Sequence, residues 1–174
     1  MIRKMLFHGF KSTARIIMLF ICISVITMEA IQFKNLLIPI KEFEDDKIIA
    51  RIEQNLGDLG ATEKEIKRYS KSIKVASETT NIDDRIIVAV TQQESSFKLN
   101  AVSPKGYKGL MQTRIASMEH PEVDIMMGAV ELRKWIKYRG GDLTYALASY
   151  NGGTNPPKQS WEYANKVIFL ASRL

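Results

Sequence analysis

The chain has 174 residues, 45% of them hydrophobic and 25% charged, a balance that fits one packed domain with an appendage and excludes general disorder. Its net charge of +6 and pI of about 9.4 suit an anionic partner, yet Lys and Arg are spread along the chain without a DNA- or RNA-binding motif, so nucleic acid is not the expected partner. The single cysteine, Cys22, excludes an intramolecular disulfide.

The first segment, residues 1–31, reads as a signal peptide or membrane anchor. Arg3, Lys4, Lys11 and Arg15 precede an uncharged run from Ile16 to Met28, which Glu29 ends. That run is short for a membrane span, which takes about 20 apolar residues. It fits the apolar region of a secretory signal, about 7–15 residues long. Ala30 suits the last position before a cleavage site, but Met28 stands where a small residue is wanted, so an uncleaved anchor stays open. Cys22 follows Ile21 inside the apolar run and reads as a passive apolar residue, with lipid attachment as the minor alternative. The expected location is outside the cytoplasm, either periplasmic or anchored to the cytoplasmic membrane.

Residues 32–61 read as a linker and a short helix, Phe43 to Leu56, broken by Gly57 and Gly60. The main domain is expected over residues 62–174. Thr62 and Glu65 form a capping box that opens a helix running to about Thr80, with Ile66, Tyr69, Ile73 and Ala76 on its packed face. Asn81 is expected to cap the next helix, with Asp83 and Asp84 in its first turn and Ile86, Ile87, Val90 and Glu94 along it. A loop around Pro104 and Gly106 leads to a short helix expected near Leu110, which Pro121 breaks. Glu122 to Tyr138 reads as a long helix packing Ile125, Ala129, Leu132 and Ile136, ended by Gly140 and Gly141. Asp142 caps a helix from Leu143 to Tyr150, Asn151 to Gly153 turn the chain, and a last helix covers Gln159 to Ser172. No strand candidate emerges. The fold class is mainly α: several helices around one core, with loops on one side forming a groove.

Glu94 is the residue most suggestive of chemistry. It lies on the apolar stripe of Ile87, Val90 and Phe97, near the end of its helix. Burial and the helix C-terminus both disfavour the carboxylate, so its pKa is expected to rise and leave a proton to donate. From the helix alone, an ordinary solvated or paired glutamate is the more common reading. Metal ligation finds little support: His8 and His120 are far apart, and no Cys/His pair has ligand spacing. His120 has no nucleophile motif to serve, and no Gly-rich loop has phosphate-binding spacing. Sugar chemistry built on a carboxyl acid remains. Glycosidases ordinarily use two carboxyl groups. Asp83 and Asp84 have helix-start roles, while Glu119, Glu122 and Asp124 read as exposed, so no second acid is evident.

The blocks ESSF, NAVSPKGYKGLMQ and ASYNGG, in this order, resemble the lytic transglycosylases of the SLT type, goose-lysozyme-like enzymes that cut peptidoglycan strands. The resemblance runs from about Lys71 to the C-terminus. It implies a lysozyme-like helical domain with a substrate groove and no metal or organic cofactor. It also implies cleavage of the β-1,4 bond between N-acetylmuramic acid and N-acetylglucosamine, with a 1,6-anhydro ring formed by the muramic acid's own 6-hydroxyl. One Glu serves as acid and then base, which accounts for the missing second carboxylate. By position, Glu94 is that residue, and Ser95 orients the sugar or the carboxyl group. Gly109 admits backbone to the groove, Met111 offers an apolar contact, and Gln112, Tyr150 and Asn151 face the acetamido sugar. Tyr163, in WEYANKV, matches the tyrosine whose hydroxyl reaches toward the acid. Taken singly, Met111 and Tyr150 read first as core, and Asn151 as a turn residue; the functional reading prevails only for the set in order with Glu94. The sequence departs from the family after GLMQ, where Thr113-Arg114-Ile115-Ala116 replaces a Pro-containing helix start and the segment to Asp124 is short. The implied partners are peptidoglycan strands and, as an option, a secretion, conjugation or phage machine that spans the envelope. A hydrolytic muramidase on the same fold and a non-catalytic wall-binding module are the alternatives.

Overall fold

The computed structural model describes residues 27, 28, 30, 31, 41, 42, 44–114 and 119–174. Most of the expected signal or anchor, Cys22 included, lies outside the described residues. Among the described residues no helix is long and apolar enough to cross a membrane. The chain divides into two compact units, Met1–Asp46 and Lys47–Leu174. The core described below belongs to the second.

Among its described residues that unit is mainly helical, as its patterning predicts. Residues 47–58 form α1, followed by α2 (Glu63–Thr80), α3 (Asp84–Ser95), α4 (Pro121–Tyr138), α5 (Leu143–Gly152) and α6 (Lys158–Ala171). Ile52 and Leu56 of α1 are fully buried, so the segment expected to be a linker and short helix supplies part of the core.

The capping box at α2 forms as expected. The Thr62 hydroxyl accepts from the Glu65 amide, and the Glu65 carboxylate accepts from the Thr62 amide at 2.8 Å. Asn81 does not cap α3. It closes α2 in a left-handed conformation, φ 52°, and Asp83 caps α3 by accepting from the Arg85 amide. The amide of a residue with positive φ reaches back to a carbonyl of the preceding turn, and Asn tolerates that conformation better than most residues. Asp84, expected in the first turn of α3, is buried and paired at 2.8 Å with Arg51 of α1.

Helix α3 is buried on nearly every side: Ile86 through Thr91 are all inside. Its two buried hydroxyls are satisfied locally, Thr91 donating to the Ile87 carbonyl and Ser95 to the Thr91 carbonyl. It packs against α2, α4 and α6, while α2 packs on α4 and α5 on both α4 and α6. The helix ends abruptly, because Ser96 and Phe97 both have positive φ, 50° and 63°. Side chains disfavour that region by roughly 1–2 kcal/mol per residue. Full burial of the Phe97 ring offsets the cost, so Phe97 joins the core from beyond the helix rather than along its stripe.

The short helix expected near Leu110 is instead a turn. Lys108 bridges to both Val102 and Thr113, and the Gly109 amide donates to the Ala101 carbonyl at 2.9 Å. Gly109 has φ 79° and Gln112 φ 50°, values that cannot propagate a helix. Residues 115–118 lie outside the described residues. Helix α4 crosses this turn closely at Gly128, where a Cβ atom would stand 2.5 Å from Cβ of Met111. Asn151 and Gly152, expected in a turn, instead form the last turn of α5.

Candidate active site

Glu94 sits in the last turn of α3, where the central helix surfaces into a cavity of about 660 Å³. Gln112, Tyr150 and Asn151 line the same cavity, so four of the expected site residues meet there. Burial pushes the Glu94 carboxyl up to about 7, and a hydrogen bond from Tyr163 holds it from rising further. The Tyr163 hydroxyl donates to Glu94 Oε1 at 2.7 Å across 69 positions of sequence. Burial raises the Tyr163 phenol well above its ordinary range, and the Glu94 charge adds to the effect. It therefore stays a donor throughout the range in which Glu94 titrates.

The GLMQ turn forms the facing wall. The Gln112 side-chain amide donates to the carbonyls of Gly109 and Ala101, at 2.8 and 3.1 Å, and so fastens the turn to the preceding loop. The Tyr150 hydroxyl donates to the Met111 carbonyl at 2.7 Å, tying α5 to the turn. Asn151 Oδ1 accepts from the Ser160 hydroxyl at 2.9 Å, which links α5 to α6. Gly152 makes that approach possible: a Cβ there would lie 2.3 Å from Ser160 Oγ.

Other expected residues serve the site from behind. The Met111 side chain is fully buried against Gly128, so the core reading of that residue holds and it presents no surface to a ligand. Ser95 is buried with its hydroxyl committed to the Thr91 carbonyl, which leaves it backing α3 rather than lining the cavity. Gly109 is buried within the turn.

The main correction concerns Asp124, read from sequence as exposed. It is fully buried, and its carboxylate accepts from the Leu110 amide. Burial pushes its carboxyl up, while the Leu110 and Met111 amides and the Thr113 hydroxyl pull it back. It is the anchor from which α4 holds the GLMQ turn. One signal in the sequence points to this role: Asp124 lies three residues after Pro121 and four before Gly128, on the inward stripe of α4. Glu131 is a second residue that sequence reasoning misses. It lines the Glu94 cavity together with Trp135, Arg114 and Lys105. Nothing local in the sequence marks it, because it stands on the exposed side of α4. Among the described residues no group of His, Cys, Asp and Glu side chains is placed to hold a metal ion.

Comparison with known proteins bears on this arrangement. A "Transglycosylase" of Enterobacteria phage PRD1 is 37% identical over 114 residues, covering 58% of this chain and 42% of the relative. "Membrane-bound lytic murein transglycosylase F" of Photobacterium profundum is 33% identical over 109 residues, covering 55% of this chain and 21% of the relative. The chain thus spans less than half the length of either curated relative. Among solved structures, an inactive mutant of the lytic transglycosylase Slt from Pseudomonas aeruginosa superposes with a TM-score of 0.51 at 23% identity. That match covers 58% of this chain and 23% of the other. At that identity the likeness is one of fold, the lysozyme-like helical fold expected from the sequence. The family profile "Transglycosylase SLT domain" matches residues 71–169, a stretch that includes Glu94, the GLMQ turn, Tyr150, Asn151 and Tyr163. With more than half of its length matched, the chain belongs to the SLT transglycosylase domain family.

Proposed function

We propose that the protein is a peptidoglycan lytic transglycosylase with Glu94 as its single acid and base. The observation that carries this reading is the half-buried Glu94 carboxyl, pushed up to about 7 and held at 2.7 Å by Tyr163, in a cavity lined by Gln112, Tyr150 and Asn151. A group with that pKa is part protonated near neutral pH, the condition for a general acid. Its proton passes to the glycosidic oxygen between N-acetylmuramic acid and N-acetylglucosamine, and the bond from that oxygen to muramic C1 breaks. The muramic acid's 6-hydroxyl oxygen then bonds to C1, and its proton passes to the Glu94 carboxylate. The products are a free 4-hydroxyl on one side and a 1,6-anhydro ring on the other, with no water consumed and Glu94 restored. An internal hydroxyl reacts with high effective molarity, so a water-activating carboxylate is not required. Tyr163 keeps the carboxyl aimed through both steps.

One observation favours a second reading. Glu131 lines the same cavity as Glu94, and a second carboxylate there is what a hydrolytic muramidase uses to activate water. Mass spectrometry of products released from purified peptidoglycan separates the two. The anhydro mechanism yields products one water lighter than hydrolysis products. They are expected from the parent protein and from Glu131→Gln, and they are lost by more than about a hundredfold in Glu94→Gln. Full-mass reducing products that vanish in Glu131→Gln establish the hydrolase instead. Retained wall binding with no product from any variant assigns the protein to the wall-binding class.

The relatives support a place in the cell envelope, since one is named as membrane-bound and murein-directed. The phage relative supports service to a larger machine that must breach the wall. The apolar run from Ile16 to Met28 is the means of export or anchoring in this reading.

A further inference from the structure

Two amide side chains, Gln112 and Asn151, line the Glu94 cavity, and each is held by one end. Gln112 commits its nitrogen to the carbonyls of Gly109 and Ala101, so the polar atom it keeps for the cavity is Oε1. Asn151 is held the other way round. Its Oδ1 accepts from the Ser160 hydroxyl, so the polar atom it keeps is Nδ2. Ser160 has little freedom to do otherwise. It lies in the first turn of α6, is 2% exposed, and is absent from the cavity lining. Its amide donates to the Pro157 carbonyl at 2.9 Å, and its hydroxyl sits against the backbone of Gly152, where any Cβ would collide with it. A buried hydroxyl hydrogen without an acceptor is costly, and Asn151 Oδ1 is the acceptor this one has. The Asn151 amide is therefore kept with its oxygen inward.

We propose that Ser160 is a positioning residue: it fixes the sense of the Asn151 amide, so that the cavity offers a nitrogen donor at Asn151 and an oxygen acceptor at Gln112 to the acetamido groups of the strand. An acetamido group has one N–H to donate and one carbonyl to accept, so it is met by one acceptor and one donor. With the Asn151 amide turned over, the cavity would present two amide oxygens, and an acetamido carbonyl would find no amide donor. Ser160 touches no substrate in this arrangement. It acts through Asn151, by holding ready a donor that would otherwise have to be oriented on binding. The consequence is a preference for N-acetylated strands over strands whose sugars carry free amines.

This proposal rests on the transglycosylase reading, and its test separates the two. For the full chain, Ser160→Ala, Asn151→Ala and the double variant, kcat/KM is measured on N-acetylated strands and on strands treated with an N-deacetylase. The ratio of the two values is the readout. Ser160→Ala changes no charge, so the amines of the treated strand weigh alike on parent and variant. The ratio is expected to fall about fivefold in Ser160→Ala, as the amide becomes free to turn, and at least as far in Asn151→Ala. In the Asn151→Ala background the loss of Ser160 is expected to change the ratio no further. An unchanged ratio in Ser160→Ala overturns the proposal, even where both rates fall, because a purely structural role moves the two alike. A further fall in the double variant overturns it as well, since Ser160 would then act on something other than Asn151. Ser160→Cys, which fills similar space with a weaker donor, takes the place of Ser160→Ala should that variant not fold. If the parent cleaves neither strand, the transglycosylase reading fails, and Ser160 is judged by calorimetry with the soluble trimer of N-acetylglucosamine and its deacetylated form. Tighter binding of the acetylated trimer by the parent, lost in Ser160→Ala, upholds the proposal; equal binding of both by the parent, or a preference that survives in Ser160→Ala, overturns it.

Discussion

At Glu94 burial and hydrogen bonding act in opposite directions, and burial wins. The carboxyl rests at about 7 instead of its ordinary 4.5. With Glu94 as the proposed general acid, cleavage draws on the protonated form, so kcat/KM is expected to fall as pH rises through about 7, which a pH–rate profile checks. In Tyr163→Phe the bond that lowers the pKa is gone, so that limb moves to higher pH while the rate itself drops about tenfold or more from lost positioning. A limb that stays in place shows that Tyr163 does not act on the acid. The same shift has a stability consequence. A carboxyl with a raised folded pKa favours the folded state while protonated, and that contribution is lost as pH rises from 4.5 through about 7. Glu94→Gln, which has no charge to desolvate, should therefore gain stability relative to the parent at pH 8 by roughly 1–3 kcal/mol and show no such gain at pH 4. Denaturant unfolding at the two pH values measures it.

Between elements, α4 is the part that holds the GLMQ turn in place. Asp124 accepts the Leu110 amide from below, and Gly128 lets Met111 seat against the helix. In Asp124→Ala a buried amide loses its partner, a loss of about 1–3 kcal/mol. The turn that carries Gln112 and receives the Tyr150 hydroxyl loosens with it, so cleavage slows as well. Asp124→Asn keeps an acceptor oxygen and should recover most of both, a rescue that thermal unfolding and product assays together test. Gly128→Ala forces a methyl group to within 2.5 Å of Met111 Cβ, which belongs to a buried residue and has little room to retreat. Overpacking of this kind costs about 1–3 kcal/mol. At the far end of α4, Arg139 lies 3.7 Å from the Tyr145 ring centroid and donates to Ser149 and to the Thr154 carbonyl, fastening α4 to α5 where both border the groove.

For the molecule as a whole, the compact unit that holds the core runs from Lys47 to Leu174 and so takes in residues ahead of the capping box of Thr62. A fragment of residues 47–174 is expected to unfold in one cooperative transition. A fragment of residues 62–174 lacks Ile52 and Leu56, both fully buried, and the Arg51 partner of the buried Asp84. Each aliphatic side chain contributes roughly 1.5–3 kcal/mol, so the shorter fragment should lose several kcal/mol and melt far lower or not fold. Circular dichroism melts of the two fragments decide the matter.

Local chemistry was enough to predict six helices with close to their observed bounds, because capping boxes, glycine stops and three-to-four spacing act within a few residues of one another. It also pointed to Glu94 as a carboxyl on an apolar stripe, but only the separated blocks of the family resemblance mark it, together with Gln112, Tyr150 and Asn151, as a candidate for the site. The remainder depended on contacts between distant parts of the chain. The turn at Leu110 exists because a carboxylate fourteen positions away accepts its amide. Met111 and Ser95 turn inward because α4 and the α3 backbone claim them. The pKa of Glu94 is set by how deeply α3 is enclosed and by a phenol 69 positions along the chain. Glu131, on the exposed side of its helix, joins the cavity only where α4 passes the end of α3. Periodicity predicts which face of a helix is apolar, but not which other element that face meets, and the chemistry of this groove depends on that meeting.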